Sequence, residues 1–139
     1  MRDIVVQRTL LAPRAAVWAA LTDRDSLEAW LMPNDFEPRV GHQFTFRTKP
    51  APGFDGIVHC KVLVMEPMNR LVISWRGGPL DTTVHFELAD HPKGTTLSLR
   101  HEGFSGVSSF VPRIFLGLGW RKLLSKKLPS LLNVAAHDR

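Results

Sequence analysis

From residue 3 to residue 11 the side chains alternate. Ile4, Val6, Arg8 and Leu10 fall on one face, and Asp3, Val5, Gln7 and Thr9 on the other, which is the period-two signature of a strand. Ala12-Pro13 ends it, and proline suits the first turn of the helix that follows. Val17, Trp18 and Leu21 recur at helical spacing. Thr22 or Asp23 then caps a second short helix carrying Leu27, Trp30 and Leu31. Met32-Pro33-Asn34-Asp35 breaks that pattern, and from Phe36 the period changes to two.

Phe44 and Phe46 alternate with Gln43, Thr45 and Arg47, and Pro50 to Gly53 forms a turn. Strands are expected over Gly56–Met65, Leu71–Trp75 and the stretch containing Val84, Phe86 and Leu88. A further strand over Thr95–Glu102 places Leu97, Leu99 and His101 on one face. The C-terminal part returns to a helical period: Leu116, Trp120, Leu123, Leu124, Leu128, Leu131 and Ala135 share one arc. Pro129 lies inside that arc and should kink or interrupt the helix near Ser125–Leu128. The order reads strand, two short helices, six strands, long helix. This is an α+β domain in which the helices cover one side of an antiparallel sheet.

A set of residues spread along this frame resembles one family. They are Arg8, Ala12-Pro13, Val17-Trp18, Leu21-Thr22-Asp23, Trp30, Gly41, Glu66-Pro67, Arg70-Leu71, Trp75, Phe86-Glu87-Leu88, the run Gly94–Phe104 and Gly119-Trp120. From about Val6 to Leu131 the chain is similar to the START-like (SRPBCC) superfamily. Within it, the resemblance is to the branch of the C-terminal domain of the heat-shock-chaperone ATPase activator. The resemblance implies a helix-grip fold, a curved antiparallel sheet wrapped around the final helix with a ligand cavity between them. It fixes a fold better than a function, because such folds serve many ligands.

Composition narrows the setting. A chain of 139 residues is expected to form one domain, 1–139. The single cysteine, Cys60, allows no internal disulfide. No apolar run is long enough to span a membrane, and the residues after Met1 do not read as a signal peptide, so a cytoplasmic location is expected. The net charge of +5 is local: Arg113, Arg121, Lys122, Lys126 and Lys127 lie between Gly103 and His137, where no Asp or Glu occurs. Such a segment can meet nucleic acid, acidic lipid or an acidic partner. A solvated helix face is the expectation here, with no nucleic-acid binding.

Candidate chemistry is sparse. The histidines His42, His59, His85, His91, His101 and His137 show no zinc spacing, so no metal site is expected. His59 and Cys60 are neighbours in a strand and point to opposite faces, which denies them a catalytic dyad. Gly117-Leu118-Gly119 lacks the third glycine of a dinucleotide loop, and no cofactor is expected. His101 and Glu102 are the strongest polar candidates. His101 should face the concave side as a rim imidazole, orienting a ligand or acting as acid-base, and its replacement by alanine should cost little stability.

The expected cavity is lined by Trp30, Phe44, Phe46, Trp75, Phe86, Leu99, His101, Phe104, Trp120, Leu124 and Lys127. Lys127 falls in the apolar arc where the resembled family usually has leucine. It either meets an anionic ligand or is turned away by Pro129. Val107–Leu118 carries large apolar residues interrupted by Pro112 and Gly117, with Gly119 just beyond, and reads as a lid over the cavity or as a homodimer contact, with a preference for the dimer. Binding of an apolar or amphipathic small molecule is the function expected. A cyclase or dehydratase using His101, and a chaperone-associated interaction module, are the alternatives.

Overall fold

The computed structural model describes residues 1–137, and the side chains of Ala135 and His137 lie outside the described part. Strand β1 (Ile4–Leu10) leads into helices α1 (Arg14–Thr22) and α2 (Arg24–Trp30). Strands β2 (Gln43–Arg47), β3 (Ile57–Glu66), β4 (Arg70–Gly77), β5 (Leu80–His91) and β6 (Gly94–Glu102) follow. A 3-10 turn (Val107–Ser109) opens the C-terminal helical run of α3 (Phe110–Lys122), a π turn (Leu123–Lys127) and α4 (Leu128–His137). The six strands form one antiparallel sheet in the order β1-β6-β5-β4-β3-β2, open at β1 and β2.

Five strands follow the two short helices rather than six. The stretch after Phe36 contains Pro38 and forms no strand: it joins the sheet only at its end, where the Gly41 amide donates to the Val62 carbonyl at 2.8 Å and the Val62 amide donates to the His42 carbonyl at 3.0 Å. Asp23, not Thr22, caps α2, its carboxylate accepting from the Ser26 amide at 3.0 Å. The β5–β6 hairpin turns at Gly94, whose φ is +151°. A Cβ there would run into the Leu10 carbonyl oxygen, so glycine lets the hairpin close against the end of β1.

Alternation along the strands decides which face is the core. Phe44 and Phe46, Val58 and Cys60, Ile73 and Trp75, Val84 and Phe86, and Leu97 and Leu99 are buried, while Gln43, His59, Lys61, Arg76 and Arg100 are exposed. The burial of Cys60 and exposure of His59 follow directly from this period. Burial pushes the Cys60 thiol far up, leaving it un-ionised.

The C-terminal run grips the sheet through Trp120, Leu124, Leu128 and Leu132, all buried. These are spaced by four, and in an unbroken α-helix a step of four drifts by about 40°. The wider π turn takes up that drift: the Leu128 amide reaches back five residues to the Leu123 carbonyl. Pro129, which has no amide hydrogen, falls just after it. The interruption expected near Ser125–Leu128 is therefore a π turn. It buries Leu128 completely and leaves Lys127 exposed. Lys127 does not face the interior.

Candidate functional site

The interior between sheet and C-terminal helix contains one polar cluster. His101, in β6, is fully buried on the same face as Leu97 and Leu99. Its Nδ1 accepts from the Trp120 indole N–H of α3 at 3.1 Å. With Nδ1 occupied as an acceptor, the ring proton sits on Nε2 and donates to Thr82 Oγ1 of β5 at 2.7 Å. The Thr82 hydroxyl donates onward to the Trp75 carbonyl at 2.8 Å. Each of these side-chain groups in the relay from Trp120 through His101 to Thr82 has a partner. Burial lowers the His101 pKa to about 3, so the imidazole is neutral at physiological pH.

Two expectations for His101 change accordingly. It does face the concave side, but at the centre of the core and not at a rim. Replacement by alanine would strand the Trp120 N–H and take a partner from the Thr82 hydroxyl in an apolar interior, so it carries a structural cost. Thr82 itself was not singled out from the sequence. A visible signal existed: it shares the inward register of Val84, Phe86 and Leu88 in β5, where an isolated threonine needs a partner.

Aromatic rings surround this cluster. Phe104 lies 4.6 Å from His101 between ring centroids, Trp75 lies 5.6 Å from it, and Trp75 and Trp120 are 5.4 Å apart. Phe86 stands edge-on to Trp120, Phe46 tilts against Trp75, and Phe44 meets Phe46 edge-on. Leu99 pairs with Phe86 across the strands, and Leu124 is buried one turn beyond Trp120. In this conformation the space between sheet and helix is occupied by the side chains expected to line a pocket there. Trp30 stands apart, its indole donating to the Ala20 carbonyl at 2.8 Å and locking α2 onto α1.

Concavities among the described residues lie elsewhere. The larger, about 1020 Å³, is a wide groove at the β2–β4 end, bordered by Asp35, Asp55, His59, Lys61, Arg76 and Asp81. Asp35 is held below its usual pKa chiefly by the Thr45 amide, which donates to it at 2.6 Å. That tie fixes the loop before β2 to its strand. Its lining mixes side chains of both signs with Phe44, Cys60 and Leu80, and the groove is broad and open rather than enclosed. A smaller cavity of about 240 Å³ runs between β1 and α3, with Arg113 and Arg121 on one wall and Asp3 on the other. Glu102 is occupied on the outer face, 3.0 Å from His85 Nε2 and paired with Arg100.

Among the described residues, no three His, Cys, Asp or Glu side chains converge as metal ligands. Nor is any described helix long and apolar enough to cross a membrane.

A single open antiparallel sheet gripping a long C-terminal helix defines a START-like helix-grip domain. Within that class, the chain belongs to the Activator of Hsp90 ATPase homolog 1-like protein family, whose model matches residues 11–133. It is similar to protein MLL2253 from Mesorhizobium loti, at 33% identity and a TM-score of 0.85, with 95% of this chain and 97% of that one covered. CalU16 from Micromonospora echinospora is similar at 26% identity and a TM-score of 0.77, covering 94% of this chain and 76% of that one. BH1534 from Bacillus halodurans shares the fold, at 24% identity and a TM-score of 0.79, covering 95% and 97%. Comparison with curated proteins finds no match.

Proposed function

We propose that the protein binds a small, largely apolar molecule in the interior between sheet and helix, with Trp120 as the gate and His101 as the polar anchor. The observation that carries this is the Trp120–His101 hydrogen bond. It joins His101, the one histidine buried among the described residues and fixed in the sheet, to a helix that buries few of its own residues. On α3 only Gly117 and Trp120 are buried, and the helix packs mainly against β1. Gly103 and Gly106, with φ of +96° and +82°, precede it, and the π turn follows it. Both ends of the helix are therefore conformationally permissive.

Swinging Trp120 outward would vacate an indole-sized space bordered by Trp75, Phe86 and His101 and free Nδ1 as an acceptor. A ligand carrying one N–H or O–H donor on a flat apolar body matches that space. The same features speak against acid-base catalysis. A neutral imidazole with a pKa near 3 has no proton to spare at neutral pH and is a weak base.

Titration with the uncharged fluorophore N-phenyl-1-naphthylamine tests the proposal. Saturable one-to-one binding by the wild type is expected, with tighter binding by Trp120→Ala, whose interior is already open. Absence of saturable binding in both proteins would reduce the interior to plain core.

A further inference from the structure

Helix α3 is amphipathic in the reverse of the usual sense. Its inward side carries Leu116, Gly117 and Trp120, whereas Phe110, Val111, Ile114, Phe115 and Leu118, with Val107 of the preceding 3-10 turn, point outward, from 44 to 95% exposed. At helical spacing this stripe runs on into charge. Phe110, Ile114 and Leu118 lead to Arg121, and Val111, Phe115 and Leu118 lead to Lys122, one turn further along the same face. Lys126 and Lys127 are exposed just beyond. No acidic residue occurs from Gly103 to His137. Asp3 lies across the cavity that Arg113 and Arg121 share.

We propose that this face is a docking surface for an anionic lipid membrane, with α3 lying in the plane of the interface. Six bulky apolar side chains on a convex ridge about 24 Å long, from Val107 to Lys122, suit a fluid medium that moulds around them. Cations at one end of the stripe suit acidic headgroups. A second copy of the chain fits less well. In a two-fold contact centred on the ridge the two helices run antiparallel, so Arg121 and Lys122 of one copy would meet the uncharged Val107–Phe110 end of the other, where no carboxylate offsets them. Nucleic acid would use the charge and leave the apolar ridge in water.

Co-sedimentation of the full chain with vesicles is the test. One set is phosphatidylcholine alone, and the other contains one part phosphatidylglycerol to three parts phosphatidylcholine. The wild type should bind the acidic vesicles, weakly or not at all the neutral ones, and less as salt is raised. Arg121→Glu with Lys122→Glu should weaken binding roughly thirty-fold or more, and Phe110→Ser with Phe115→Ser should weaken it roughly ten-fold or more. All four positions are exposed, so the melting temperature should hold. Ile114→Ser with Leu118→Ser is the second pair should the first fold poorly. Failure to bind acidic vesicles would overturn the proposal, as would binding untouched by the serine pairs, which would mean charge alone. Light scattering that gave a two-chain mass falling to one chain in the serine variant would assign the ridge to a second copy instead.

Discussion

Burial has made protonation of His101 costly, and that cost belongs to the stability of the fold. Its contacts are Thr82, Trp75, Phe104 and Trp120, none of them charged, so no neighbouring anion compensates. The folded pKa is about 3 against an ordinary value of 6.5. Between those values the unfolded chain binds a proton that the folded chain refuses, so stability rises with pH there. At about 1.4 kcal/mol per unit, this contribution is worth a few kcal/mol. It is complete above roughly pH 6.5 and is lost as pH falls towards 3. Asp35 and Glu37, whose pKa values are lowered, act later, their stabilisation disappearing below the ordinary carboxylate range. The wild-type melting temperature should therefore begin to fall below pH 6.5. In His101→Gln, whose amide can accept from Trp120 and donate to Thr82 without titrating, the decline between pH 6 and 4.5 should be shallower. An identical slope in both proteins would remove His101 as its source.

At the scale of elements, the π turn sets which side chains of the C-terminal run meet the sheet. Leu128→Ala should destabilise the protein by about 2–5 kcal/mol, as buried leucine truncations do. Lys127→Ala, one residue earlier, should stay within about 0.5 kcal/mol. Chemical denaturation of the two variants measures this, and comparable losses would mean that the register is wrong. Leu128 was legible as part of the apolar arc, and the turning away of Lys127 was one of its two readings; the π turn that decides between them was not. A 100° wheel places Lys127 in the apolar arc because it assumes one uniform period. The reach from the Leu123 carbonyl to the Leu128 amide that resets it depends on what the helix packs against.

The strands were easier to read, because period two survives twist and each inward residue of β2, β5 and β6 keeps its parity. His101 was thus assigned to its correct face by alternation with Leu97 and Leu99. Its depth was not, because depth comes from the indole that α3 lays over it. The 107–118 segment was read as a lid or a dimer contact, with Pro112 and glycine as breakers, and its helical course was not legible: Pro112 occupies the first turn of α3, where its missing N–H costs nothing.

Across the whole molecule, the apolar material is divided between two places. One is the core beneath the sheet, closed by Trp120. The other is the outer ridge of α3, on the same helix. A single movement of α3 would alter both, so a ligand that opens the interior would also reposition the ridge. The indole N–H resonances in a proton–nitrogen correlation spectrum report on that movement at the atoms concerned. The chain has four tryptophans. The Trp120 N–H is bonded to His101, and the Trp30 N–H to the Ala20 carbonyl, away from the proposed site. On titration with N-phenyl-1-naphthylamine, the Trp120 signal should shift by far the most and the Trp30 signal should hold its place. Saturation of the probe with the Trp120 resonance unmoved would contradict a gated interior and place the probe elsewhere on the protein.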